Sequence, residues 1–285
     1  MPEVSGVRHR MIKVGDVSVH IAEIGEGKPV LLLHSFPQHW FEWREVLQLL
    51  KNRYHLIAVD LPGFGWSEAS VRGYSTTKRA QDVLAIIAAL ELPQVDLIGH
   101  GWGAIVGFEV CLQAPEKIAH FLSISAAHPW LSRSVAMRNA WRQWHTVFWE
   151  YPFIGRTVLA RMPAITERIM RHWSVQKSTP AVTALREYTL SYRNSSAAYA
   201  GEKLNWEYVL HDIPGLLLAK ASKRHLTVPT VLLVGNKDVV IPPAMAEGGQ
   251  LNADNLRWVV VEDAGQLLPE EKPEAVAQEA RRLFE

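Results

Sequence analysis

Six short, predominantly apolar runs limit what this chain can fold into. They lie at 30–33, 56–59, 95–98, 121–124, 231–234 and 258–261. Runs of this kind fit strands buried on both faces, as in a parallel sheet covered by helices on each side. Helical periodicity fills many of the gaps, at 40–52, 77–91, 102–113, 243–252 and 273–284. Strand alternating with helix predicts an α/β doubly wound sheet. Ahead of it, residues 8–24 alternate around Gly15-Asp16 and predict an antiparallel hairpin, which brings the expected strand count to eight. Residues 131–215 break the rhythm. They hold no buried-strand run, several helical stretches rich in Trp, Arg and Tyr, and breaks at Pro152, Pro163 and Pro180.

Composition narrows the function classes. The chain has 285 residues, 48% of them hydrophobic, with a formal net charge of +1. That length buries a sizeable core. The near-neutral balance predicts neither nucleic acid nor an anionic membrane surface as a partner. The single cysteine, Cys111, excludes an intramolecular disulfide and any cysteine cluster for zinc. His120, His128, His145, His172, His211 and His225 lack metal-ligand spacing, so no metal or other cofactor is expected. Residues 1–6 lack the regions of a signal peptide, and a cytoplasmic protein is expected. Of the 12 histidines the last is His225, and of the 11 tryptophans six fall between Trp130 and Trp206.

The most informative turn is Leu97-Ile98-Gly99-His100-Gly101-Trp102-Gly103-Ala104, which joins a strand to a helix. Gly99, Gly101 and Ala104 satisfy G-x-G-x-x-A, the dinucleotide fingerprint. That function wants an acid at the end of the next strand, and Ser123-Ile124-Ser125-Ala126-Ala127 supplies none. The alternative is a nucleophile elbow, small-x-Nu-x-small. Plain tight turns in another doubly wound protein are the structural alternative. The elbow has company in the right order: Leu33-His34-Ser35-Phe36-Pro37, then 59–67 (VDLPGFGWS), then Gly235-Asn236-Lys237-Asp238, then Glu262-Asp263-Ala264-Gly265-Gln266.

Together these segments resemble the epoxide hydrolase and haloalkane dehalogenase branch of the α/β-hydrolase superfamily. The most specific are 34–44 (HSFPQHWFEWR), 60–67, 99–104, 235–242 (GNKDVVIP) and 262–273. The resemblance implies an α/β-hydrolase core over 1–130 and 216–285, a mostly parallel eight-stranded sheet flanked by helices, and a helical cap over 131–215. It also implies an elbow carboxylate that attacks carbon, and a histidine paired with an acid that activates water. The elbow position here is Gly101 and the histidine position is Gln266, while the acid position, Asp238, is retained. Glycine offers no nucleophile, and a glutamine amide takes no proton near neutral pH.

The candidate chemistry therefore shifts. Asp238, Gln266, Glu207 and Tyr208 are the candidate catalytic groups. The lid motif reads Asn205-Trp206-Glu207-Tyr208, so either Glu207 or Tyr208 stands where a proton-donating tyrosine is expected. Backbone N–H groups of Phe36 and Trp102 would form an oxyanion hole. His34, Ser35, His100, Gly101, Trp149, Tyr151 and Trp206 are the candidate pocket residues. His34 is also expected to serve backbone beneath the pocket, and His100 to point away from it. Asp60, Glu262 and Asp263 are expected to be turn residues. The expected partner is a small apolar or aromatic metabolite, with a homodimer possible in principle. Three functions stay open: a non-hydrolytic enzyme (cyclisation, isomerisation, elimination or epoxide opening), a non-catalytic ligand-binding protein, and a hydrolase or dehalogenase inactivated by substitution at Gly101 and Gln266.

Overall fold

The structure is a computed structural model, and it describes residues 1–70, 73–175, 180–217 and 223–285. Eight strands form one sheet: β1 (Arg8–Val14), β2 (Val17–Ile24), β3 (Lys28–Leu33), β4 (Tyr54–Val59), β5 (Val95–His100), β6 (Ile118–Ile124), β7 (Thr230–Gly235) and β8 (Leu256–Val261). Their order is β1-β2-β4-β3-β5-β6-β7-β8. β1 and β2 form the antiparallel hairpin, with Val14 opposite Val17 across the Gly15-Asp16 turn. β2 also runs antiparallel to β4, and every later pair is parallel.

The apolar runs are strands for the expected reason. Along β3, Leu31 and Leu33 enter one core cluster, while Val30 and Leu32 enter the other. Successive side chains point to opposite faces, so a strand covered on both sides shows no alternation. β8 differs. It is the sheet edge, its burial alternates, and Trp258 is 37% exposed. The helical pattern at 243–252 also differs from expectation. It resolves into two separate 3-10 turns, Pro243–Met245 and Gln250–Asn252. Gly248 and Gly249 lie between them with φ of 96° and 80°, a backbone no helix continues through.

Three helices connect the strands from β3 to β6: α1 (Arg44–Leu50), α2 (Thr76–Ala89) and α3 (Trp102–Gln113). Between β6 and β7, every named element among the described residues is helical, from Arg133–Asn139 to Ile213–Leu217. Pro163 and Pro180 each open a helix, where the missing N–H costs nothing. The helix Ser195–Glu207 runs into a π-turn, Tyr208–Asp212. These helices share a core with the sheet. Trp149, Leu159, Tyr188 and Tyr192 belong to the same buried cluster as Phe36, Leu61 and Phe64. No helix among the described residues is long and apolar enough to cross a membrane.

Asp60 ties the loops at the strand ends together. One carboxylate oxygen accepts from Trp40 N at 2.8 Å. The other accepts from Trp66 N at 3.1 Å and pairs with His20 Nδ1 at 2.8 Å. Burial opposes the charged form, yet the His20 hydrogen bond and neighbouring imidazoles hold this carboxyl below its ordinary range. Asp60→Ala strands two buried donors, Trp40 N and His20 Nδ1, and a part-buried one, Trp66 N. We expect it to lower the unfolding free energy by about 3–5 kcal/mol, read from urea unfolding. An unchanged midpoint would show that the loops hold without it.

Candidate active site

The site lies where β5 ends and α3 begins. Gly101 adopts φ 48° and ψ −110°, a conformation that L side chains rarely take. Its N–H donates to Ile124 O at 2.9 Å, which ties the turn to β6. A Cβ at Gly103 would run into the carbonyl oxygens of Leu33 and His34, so glycine there lets α3 press against the loop after β3.

A buried network fastens this turn from below. Glu42 Oε1 accepts from Ser35 N at 3.2 Å, and Glu42 Oε2 lies 3.1 Å from His100 Nδ1. His100 Nε2 lies 2.8 Å from Gln266 O. A carbonyl only accepts, so Nε2 carries a proton, and the second proton lies between Nδ1 and Glu42. Burial disfavours the imidazolium, but Glu42, the Gln266 carbonyl and Glu270 together more than offset it and the His100 pKa is raised. Burial likewise raises Glu42. His34 is also satisfied: Nδ1 donates to Ser35 O at 2.7 Å and Nε2 accepts from Leu61 N at 3.1 Å. Burial lowers its pKa to about 4, so it stays neutral.

Above the turn lies a cavity of about 930 Å³, walled by Phe36, Trp102, Trp149, Trp173 and Tyr208 and floored by Ser35, Gly101, Ser125 and Gln266. Ser35 takes the space above the elbow. A Cβ placed on Gly101 would fall inside the contact distance of Ser35 Oγ and 3.0 Å from Ser35 Cβ. The same hydroxyl accepts from Trp102 N at 3.4 Å, one of the two expected oxyanion-hole donors. Gln266 Nε2 would lie 3.6 Å from that Cβ, and it donates to Ser125 O at 3.1 Å.

Asp238 follows β7, buried, and does not face the cavity. Its Oδ1 accepts from Val240 N at 2.8 Å and Ile241 N at 2.9 Å, while Oδ2 has no partner among the described residues. Burial raises its pKa to about 7, against the two backbone donors. No hydrogen bond joins it to Gln266.

Glu207 and Tyr208 both reach the cavity wall. Glu207 Oε2 accepts from Tyr74 N at 2.9 Å, so its carboxylate holds the loop before α2. The Tyr208 ring meets Trp102 edge-on, 4.8 Å between centroids, and burial pushes its phenol up to about 12. Trp149 is buried against Phe36 and Trp173. His34, His100, Tyr151 and Trp206 are not among the residues facing the cavity, and Tyr151 is 46% exposed. Asp263 ion-pairs with Lys237, and Glu262 bonds Asn236, both at the surface.

Sequence inspection missed four residues: Glu42, Gln38, Ser125 and Trp173. Ser125 was the legible one, since it follows β6 at the strand ends where open α/β sheets gather ligand groups. Trp173 was hidden among six candidates. No group of three or more His, Cys, Asp or Glu side chains among the described residues is placed to hold a metal.

Comparison with known proteins agrees with this fold. A family model of the alpha/beta hydrolase fold matches residues 28–273. The soluble epoxide hydrolase of a Corynebacterium species is 27% identical, over 98% of this chain and 97% of that protein. Mouse epoxide hydrolase 4 is 26% identical, over 93% of this chain and 76% of that protein. Among solved structures, Cfl2 from Burkholderia cenocepacia superposes with a TM-score of 0.87 at 25% identity, covering 100% of this chain and 98% of the other. The epoxide hydrolase CorEH gives 0.83 at 25% identity, covering 98% of each chain.

Two predictions follow from this geometry. Gly101→Ala combines a strained φ with a collision at Ser35, and should cost about 2–3 kcal/mol of stability. Adding Ser35→Gly should recover at least about 1 kcal/mol. Strict additivity of the two changes in chemical unfolding would contradict the contact. Asp238 titrates near 7 in the folded chain and near 4 when unfolded. Between these values the unfolded chain has released a proton that the folded chain keeps, so this group's stabilising effect falls as pH rises. Asp238→Asn should be the more stable protein at pH 7.5, by up to about 4 kcal/mol, with the gap closing by pH 4. Parallel stability curves over that range would contradict the raised pKa.

Proposed function

Because this chain belongs to the α/β-hydrolase fold family, in its epoxide hydrolase-like branch, we propose that it is a capped-pocket enzyme that works without an ester intermediate. It takes a bulky apolar or aromatic metabolite and promotes isomerisation, cyclisation, elimination or intramolecular epoxide opening. One observation carries this: Gly101 has no side chain, and the Ser35 hydroxyl stands where a Cβ would grow. The group facing the elbow is the Gln266 amide, which cannot serve as a base near neutral pH. Nucleophile and base act as a unit, and here neither position offers the required chemistry.

What the cavity offers is shape, aromatic surface and fixed donors. Trp149, Trp173, Phe36 and Trp102 suit a flat apolar ligand through burial and edge-to-face contact. Tyr208 remains protonated through the neutral range, so its phenol is a hydrogen-bond donor on the cavity wall. Positioning and preorganised donors supply rate without covalent chemistry. A second function, a non-catalytic receptor, draws support from Ser35 and Asp238. The Ser35 hydroxyl covers the Trp102 N–H, and Asp238 spends one oxygen on its own turn.

The test is a thermal-shift screen with aromatic polyketide-like and terpenoid epoxides, run in 18O-labelled water and followed by mass spectrometry. We expect a binder to emerge as an isomer or elimination product without 18O, with no adduct on the protein. An alkyl-enzyme adduct, or a labelled diol from the wild type, would overturn the proposal. A tight binder recovered unchanged would assign the receptor function instead. The triple variant Ser35→Gly/Gly101→Asp/Gln266→His should not speed the native conversion.

A further inference from the structure

The first helices after β6 turn apolar side chains toward solvent. Ser132 caps a continuous helical stretch: α-helix over Arg133–Asn139, 3-10 helix over Ala140–Thr146 and α-helix again over Val147–Glu150. Met137, Trp141, Trp144 and Val147 are all exposed, Met137 by 71%. Their spacing is four, then three, then three. Residues four apart share a face of an α-helix, and residues three apart eclipse in a 3-10 helix. The four side chains therefore form one apolar ridge along the stretch. Among the described residues, eight of the sixteen large hydrophobic side chains left exposed lie within 137–162. Single exposed apolar residues need no explanation, but a concentration of this kind marks an interaction surface.

Positive charge borders the ridge. Residues 133–162 carry five arginines and one glutamate, a formal +4 that leaves −3 for the rest of the chain. The near-neutral total averages this away. No carboxylate side chain occurs from 133 to 149. Arg133 stands one turn before Met137, and Arg138 flanks the ridge, both exposed. The Arg142 guanidinium lies 4.9 Å from the centre of the Trp141 ring and donates to Val239 O at 3.1 Å. The same stretch borders the cavity, which Ala136, Met137, Asn139, Ala140 and Gln143 help to line. Met137 both lines the cavity and stands largely in solvent, so the cavity mouth opens beside the ridge.

We propose that this face of the cap docks on an anionic lipid bilayer, with the Trp141 and Trp144 rings at headgroup level and the arginines on lipid phosphates. Tryptophan suits that depth because its ring is apolar and its N–H polar. Arginines beside an anionic leaflet add an attraction that falls off within a Debye length. A second copy of this chain suits the surface less well. A twofold contact would set one copy's arginines against the other's, with no carboxylate from 133 to 149 between them. An apolar ligand concentrates in lipid, and a mouth beside the docked ridge gives it a path into the cavity. That purpose rests on the capped pocket as the ligand site; the docking does not.

Sedimentation with sucrose-loaded vesicles tests it, comparing pure phosphatidylcholine with a mixture containing about one-third phosphatidylglycerol. The protein is expected to bind the anionic vesicles at least about 10-fold more tightly, and to lose most of that gain in about 0.5 M salt. Trp141→Ser/Trp144→Ser should weaken anionic binding at least about 10-fold, and Arg133→Gln/Arg138→Gln by about 10–30-fold. All four side chains are exposed, so both variants should keep the wild-type melting temperature. No binding to either vesicle, equal binding to both, or anionic binding indifferent to the tryptophan pair overturns the proposal. A dimer in analytical ultracentrifugation that the tryptophan variant dissociates, without vesicle binding, assigns the surface to a second copy instead. Each of these failures leaves the capped-pocket reading standing, because that reading is tested by ligand conversion and not by lipid.

Discussion

The site depends on one buried carboxylate. Glu42 joins the loop after β3, through Ser35 N, to the elbow, through His100, and the His100 ring carries the connection on to the Gln266 carbonyl. Three loops from distant parts of the sequence thus share one proton-sharing pair in a space from which water is excluded. Such a pair gives little net stability, because burying both partners costs roughly what their attraction returns. What it gives is position. Each of the three backbones has one place where the network closes, and those places put Ser35, Gly101 and Gln266 side by side.

That arrangement makes the residues at 35, 101 and 266 one coupled unit. A side chain at 101 needs the volume that Ser35 Oγ fills, and an imidazole at 266 has no function without a nucleophile opposite. The hydroxyl restores a hydrogen bond to the Trp102 N–H at the start of α3, which an empty elbow would leave bare. The floor here is neutral, built from a hydroxyl, an amide and a glycine.

The fold was legible because its signals are local. Strands buried on both faces show as apolar runs, and the hairpin shows as alternation around Gly15-Asp16. Two signals misled. Pro243 to Asn252 has apolar spacing without helix, because Gly248 and Gly249 turn the backbone, and the β8 run is apolar although the strand is an edge. The floor of the site, Ser35, Gly101 and Gln266, was readable from motif positions. The walls were not. Of the six tryptophans between 130 and 206, Trp149 and Trp173 face the cavity, while Trp141 and Trp144 are 66% and 51% exposed. Which face of a short helix turns inward is decided by tertiary packing, and composition carries no record of it. Glu42 lay in plain view within 34–44, but a buried carboxylate and a surface one are the same letter.

Asp238 shows why an acid persists where its usual partner is a glutamine. Its Oδ1 closes the turn after β7 by accepting from Val240 and Ile241, a task any carboxyl or amide oxygen performs whether or not an imidazole lies nearby. Burial then raises the group to about 7, so near neutrality it is only partly charged. A fully ionised carboxylate behind the floor would draw cationic ligands and disfavour anionic ones. A partly protonated one leaves that field weak. The turn holds the acid in place, and burial weakens its charge near neutrality.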